Sequence, residues 1–131
     1  MLSELKKNDF ELILFSSNNA KYLEQVAATI QKDEPLFDFL INKDHLHFDR
    51  DLDLHILDLN ILLGGASRDL KDIIVVTNTC CRHLIQYTNG VPVKEYSGNK
   101  RDLSLFALTK YLKSFRDVKD VRTKIAEEFA I

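Results

Sequence analysis

Two apolar runs, each bounded by polar turn residues, constrain the fold of this chain more than any other feature. The first covers residues 10–15 (FELILF) and stops at Ser16-Ser17-Asn18-Asn19; the second covers 73–76 (IIVV) and exits through 77–82. A short run without polar alternation between turn signals reads as a strand buried on both faces, and such strands belong to helix-covered parallel sheets. A helix for that purpose follows the first run. Ala20, Leu23, Val26, Ala27 and Ile30 recur at helical spacing, so 19–31 is predicted as an amphipathic helix that stops before Pro35. Strand, polar turn and helix open a βα unit.

Residues 37–63 alternate instead, with Phe37, Phe39 and Ile41, then Leu46 and Phe48, then Leu52, Leu54 and Ile56. That period predicts short strands and a hairpin through 49–53. Leu2 and Leu5 share one face of a short helix at 1–7. After the second buried run, a short helix is expected at 83–87 and a strand at Val91-Pro92-Val93, held to a sheet edge by Pro92. Asn99 with Asp102 signals a helix start, and Leu105, Leu108, Leu112 and Phe115 recur at helical spacing behind it. Asp120 is the expected N-cap of a last helix over 121–129. Buried strands alternating with helices put the chain in the α/β class.

At 131 residues the chain is expected to form a single domain over 1–131, with enough length for a hydrophobic core. A formal net charge of -2 gives no polybasic footprint for nucleic acid or anionic lipid across the whole domain, although a small local patch is compatible with it. No apolar run approaches the roughly 18 residues of a membrane span, so no transmembrane segment is expected. The N-terminus mixes Glu4 and Asp9 with Lys6 and Lys7, and resembles neither a secretory signal nor a mitochondrial presequence. Cys80 and Cys81 are adjacent, a spacing that disulfide geometry fits poorly, so a reducing compartment is expected.

Five segments, in order, resemble the NLI-interacting-factor-like family. These are the RNA polymerase II tail phosphatases of the haloacid-dehalogenase (HAD) class. Glu11-Leu12-Ile13-Leu14-Phe15-Ser16-Ser17 is similar to the family's second motif strand, and Lys43-Asp44-His45 to its Arg/Lys-Glu-His turn. Ser67-Arg68-Asp69-Leu70 with residues 73–78 is similar to its "RDL…hhhhDN" segment, and Val91-Pro92-Val93 to its short Val-Pro strand. Phe15-Ser16-Ser17-Asn18, Glu95-Tyr96-Ser97-Gly98 and Lys119-Asp120-Val121-Arg122 resemble one branch more closely, the presequence-receptor subunits of the mitochondrial inner-membrane translocase.

The resemblance implies a HAD-like Rossmannoid three-layer α/β fold. It also implies a chemistry: one Asp attacks phosphorus, a second Asp two residues on serves as acid and base, and Mg²⁺ neutralises the phosphate oxygens. The family carries both residues in Asp-x-Asp-x-Thr at the end of its first strand. By this alignment the chain starts after that motif, so the fold is expected to be truncated, lacking the N-terminal catalytic strand. At the other family positions Ser16 keeps a hydroxyl, with Asn18 beside it. Leu57 stands where the family has its phosphate-binding Lys, and Thr77, ahead of Asn78, where it has a metal-binding Asp. Ser16, Asn18, Leu57, Thr77 and Asn78 are therefore expected to form a vestigial phosphate and metal site. No catalytic residue, no metal ligand and no cofactor are expected.

The function implied is a catalytically inactive, protein-binding or structural subunit of a larger mitochondrial, inner-membrane-associated complex. Its partners would be other protein chains, one of them completing the central sheet, and not nucleic acid. The alternative is an active Mg-dependent serine/threonine phosphatase, cytoplasmic or nuclear, whose Asp-x-Asp strand lies outside this chain.

Other patterns read as ordinary structure. Asp51-Leu52-Asp53 mimics the catalytic pair but has no buried strand before it and His55 where Thr belongs. Asp49, Asp51 and Asp53 begin like a calcium loop, yet Leu54 and Asn60 replace its glycine and glutamate. His45 and His47 would share one face of a strand, with His55 the only nearby third ligand for a metal. Cys80-Cys81 with His83 lacks an orienting carboxylate or amide, and no Lys-Ser/Thr follows Gly64-Gly65. Lys110, Lys113 and Arg116 read as a solvated face near a helix C-terminus that can meet an acidic partner.

Overall fold

The computed structural model describes residues 2–63, 68–77, 84–93 and 104–129, with 104 and 105 by backbone alone. They fall into two compact units, Met1–His55 and Ile56–Ile131.

In the first unit, α1 (Leu2–Lys7) buries Leu5 and ends at Asp9, whose φ of 67° reverses the chain. Phe10 N–H and Asn8 N–H both donate to the Leu5 carbonyl, which satisfies the helix end. β1 (Ile13–Phe15) starts later than the apolar run suggests. The reason is tertiary: Asp38 Oδ2 accepts the Leu12 N–H at 2.8 Å, so Leu12 meets the neighbouring segment only through its carbonyl, which accepts Asp38 N–H at 2.7 Å, and the paired register begins at Ile13. α2 (Ala20–Ile30) follows as expected, with Asn19 Oδ1 accepting Tyr22 N–H at 2.8 Å as its N-cap and Leu23 and Ala27 buried. The chain then returns as β2 (Phe39–Ile41), parallel to β1 in the register Ile13↔Phe39 to Phe15↔Ile41. A parallel pair joined through a helix is the βα unit anticipated from sequence.

Asp38 locks this unit. Its carboxylate meets Lys6 Nζ through both oxygens at 2.7 Å as well as capping Leu12. Asp38→Ala should lower stability by about 1–2 kcal/mol. Asp38→Asn keeps an acceptor for Leu12 and loses only a partly exposed ion pair, about 0.5 kcal/mol. Urea melts of the two variants should differ accordingly, and equal losses would show that the backbone cap contributes nothing.

A 3-10 turn, Lys43–His45, leads to the hairpin of β3 (His47–Asp49) and β4 (Leu54–Ile56). The hairpin lies where the alternation placed it. Its turn is fixed by Asp49 Oδ1, which accepts Asp51 N–H at 3.0 Å and Leu52 N–H at 3.1 Å, while Asp53 takes a φ of 52°.

In the second unit, 3-10 turns span Leu59–Leu62 and Leu70–Asp72, capped by Asp58 and Asp69 side chains. β5 (Val75–Thr77) pairs in parallel with β6 (Gly90–Pro92) in the register Val75↔Gly90 to Thr77↔Pro92. The strand is shifted toward its C-terminal end, so Thr77 belongs to it and not to the exit. The helix expected at 83–87 is corrected. Leu84 instead bridges Leu57 in parallel, and a 3-10 turn follows at Tyr87–Asn89. Among the described residues the strands form three two-stranded pairs, so the α/β class is realised in small sheets.

The expected start of the next helix, Asn99 and Asp102, lies outside the described residues. Within them α3 (Ser104–Lys113) turns Leu108 and Leu112 inward, and Phe115 is buried just beyond it. α4 (Val121–Phe129) buries Val121 and Ile125 and packs against the Tyr87–Asn89 turn. Asp120 caps it as expected, accepting Arg122 N–H at 3.0 Å. Hydrogen bonds from the Arg122 guanidinium hold the partly exposed Asp120 carboxyl below the usual carboxylate range.

Candidate functional site

Ser16 and Asn18 occupy the turn between β1 and α2 in the first unit. Ser16 N–H donates to the Ile41 carbonyl at 3.0 Å, which pins the turn to the end of β2. Ser16 Oγ accepts both Asn18 N–H at 3.1 Å and Asn18 Nδ2 at 2.9 Å. The Asn18 carbonyl accepts Lys43 N–H at 3.0 Å. A polar tetrapeptide after a strand thus folds on itself, as its composition favours. With its lone pairs engaged, Ser16 can offer an anion one O–H donor.

Leu57 and Thr77 lie in the second unit. Leu57 is 3% exposed, and its carbonyl accepts Ile85 N–H at 3.0 Å beside the bridge to Leu84. Thr77 ends β5, its carbonyl accepting Val93 N–H at 3.1 Å. Asn78, the remaining predicted member, lies outside the described residues, as do Gly64, Gly65, Cys80, Cys81 and His83.

Residues that sequence reasoning passed over organise the Leu57 segment. Gln86 Oε1 accepts Leu59 N–H at 2.8 Å and Gln86 Nε2 donates to Asp58 Oδ1 at 2.7 Å. Asp58 Oδ1 also accepts Asn60 N–H at 3.0 Å. The Asp-x-Asn spacing was the available signal for the second contact; nothing local pointed to Gln86.

Taken singly, Ser16 and Thr77 offer a neutral hydroxyl, Asn18 an amide and Leu57 an alkyl chain. Mg²⁺ takes hard oxygen ligands, anionic ones above all, and these residues do not fit it. The histidines also differ from expectation. His45 sits in a 3-10 turn, its Nδ1 accepting Asn42 N–H at 3.0 Å, so it does not share a strand face with His47. The His55 ring rests against Phe48 with centroids 4.9 Å apart. Among the described residues no cluster of three His, Cys, Asp or Glu is placed to hold a metal, and no helix is long and apolar enough to cross a membrane. Asp51 and Asp53 stand in the hairpin turn.

The profile of the NLI interacting factor-like phosphatases matches residues 1–122. The chain is 25% identical over 122 residues to "CTD small phosphatase-like protein 2" of Dictyostelium discoideum, covering 93% of this chain and 20% of that protein. It is 28% identical over 115 residues to "Mitochondrial import inner membrane translocase subunit TIM50" of Candida glabrata, covering 86% and 22%. To a "Probable C-terminal domain small phosphatase" of Dictyostelium discoideum it is 28% identical over 121 residues, covering 90% and 36%. The chain therefore spans between a fifth and little more than a third of the length of these relatives. The family match covers most of the chain and reaches into both described units: the chain belongs to the NLI interacting factor-like phosphatase family.

Proposed function

We propose that this domain uses a phosphatase-like fold to bind other proteins within a larger assembly, and that it does not transfer phosphate. The observation that carries this reading is Leu57. At the position that the motif resemblance assigns to the family's phosphate-binding lysine it presents a buried alkyl side chain, which supplies no charge to a phosphoryl group. Thr77, which the same resemblance puts in place of the metal-binding carboxylate, adds no anionic ligand. The two positions fail in the same direction.

The three-layer sheet of the parent fold belongs to this proposal too. Among the described residues β1 pairs only with β2, and β5 only with β6. A strand from outside this sequence, in a longer form of the chain or in a partner, would complete them by β-addition. The relative named as a translocase subunit supports a mitochondrial complex.

Hydrolysis of a generic aryl phosphate with Mg²⁺ present tests the reading. The expected result is no release above buffer, unchanged by chelator; chelator-sensitive turnover would sink it. The second reading, an active Mg-dependent serine/threonine phosphatase in the nucleus or cytoplasm, is favoured by the two relatives that bear phosphatase names. A longer product carrying Asp-x-Asp-x-Thr and turning over substrate despite Leu57 and Thr77 would establish it.

A further inference from the structure

The two most exposed large apolar side chains among the described residues are Phe106 at 74% and Leu52 at 61%. Phe106 sits on a helix and Leu52 in a hydrogen-bonded turn, and their charged surroundings are opposite.

Phe106 lies on α3 on the side away from Leu108 and Leu112, which are buried. Lys110 and Lys113 are four and seven residues further on, which puts all three on one helical stripe. Arg116 continues the positive charge into the following turn. The net charge of the whole chain is -2, so this local surplus of cations is a departure from its average.

Leu52 stands at the tip of the hairpin between β3 and β4. The Asp49 side chain fixes the turn through its bonds to Asp51 and Leu52, so Leu52 is presented without needing to be ordered first. Asp51 and Asp53 flank it and are exposed; with Asp49 they outnumber Arg50 three to one. The tip is an apolar knob between carboxylates, and the stripe is an aromatic followed by ammonium groups. Each has the chemistry the other lacks.

We propose that the occupant of the α3 stripe is the hairpin tip of a second copy of this chain, with Leu52 against Phe106 and Asp51 facing Lys110. The two surfaces differ, so the contact is heterologous. It either closes as a two-fold pair in which both copies exchange tips, or continues from copy to copy. A knob and a short stripe bury far less than the roughly 1,200–2,000 Å² of a stable interface, so the association is weak and concentration-dependent. Added salt weakens it, because Asp51, Asp53 and Lys110 are solvent-exposed.

Analytical ultracentrifugation of the full chain, from about 10 μM upward into the weak-association range, reads the outcome directly. The expected result is a weight-average mass that rises with concentration and rises less at high salt. Leu52→Ser and Phe106→Ser should each return the protein to monomer with unchanged circular dichroism, since both side chains are exposed. Mixing the two variants should restore association above either alone, because the first keeps an intact stripe and the second an intact tip. Asp51→Lys and Lys110→Glu should each weaken association, and the pair together should regain part of it. A monomer at every concentration overturns the proposal. So does association that survives both serine variants, or a mixture that behaves as its separate components; these results leave an acidic segment of another protein as the remaining candidate for the stripe.

Discussion

Asn89→Asp should cost about 3–5 kcal/mol at neutral pH, although it exchanges one atom for another of similar size. Asn89 is fully buried, and its Nδ2 donates to the carbonyls of Leu70 at 2.6 Å and Ile73 at 2.8 Å. It thereby ties the Leu70–Asp72 turn to the Tyr87–Asn89 turn. A carboxylate there has no hydrogen to give and sets negative oxygen against two carbonyl oxygens in a fully buried place. The folded-state pKa of this aspartate is raised above the unfolded value, so the penalty grows as pH rises past about 4 and is relieved below it. Urea melts at both ends of that range, each referenced to wild type at the same pH, should show the deficit shrinking in acid. Asn89→Ala is milder, about 1–3 kcal/mol. It orphans the Ile73 carbonyl, but Leu70 O retains Ile73 N–H, and the Asn89 Oδ1, which has no partner among the described residues, is removed as well.

The second large effect is expected at Ile125. It is 0% exposed on α4, the helix that packs against the Tyr87–Asn89 turn. Ile125→Ala removes three carbons from a filled site and should lower stability by about 2–5 kcal/mol, the higher figure applying if the neighbours fail to close the cavity. Ile125→Val should cost only about 0.5–1.5 kcal/mol. Because the helix and the turn share contacts, Ile125→Ala combined with Asn89→Ala should lose less than the sum of the two. Additive losses would mean that the turn and the helix are held independently.

What could be read from sequence was what depends on near neighbours. α2 announces itself through its period and through Asn19, and the hairpin through alternation around an Asp-rich turn. Asp120 as a cap is legible for the same reason: donor and acceptor lie two residues apart. The misreadings share a different cause. β1 begins late because a carboxylate from the other side of the unit occupies Leu12 N–H. The segment at 83–87 has a plausible helical pattern, but Leu84 gains a bridge to Leu57, and the Gln86 side chain gains Leu59 N–H and Asp58. Helix propensity is a weak prior that such tertiary partners override. The proposed site rests on resemblance to a family and not on local pattern. Nothing in the local pattern of Leu57 or Thr77 marks them out, since an absent charge leaves no periodicity behind it.

The arrangement of the first unit also bears on the order in which the molecule can assemble. All the backbone bonds that join β1 to β2, from Leu12 with Asp38 to Ser16 with Ile41, come from the first third of the chain. Their closure spans one helix only, a short loop by the standards of parallel sheets, and short loops close fast. During synthesis this pair has every residue it needs long before Ile125 is made. The first unit can therefore form its parallel pair while the second is still being made, which shortens the time that β1 and β2 stand unpaired with each other.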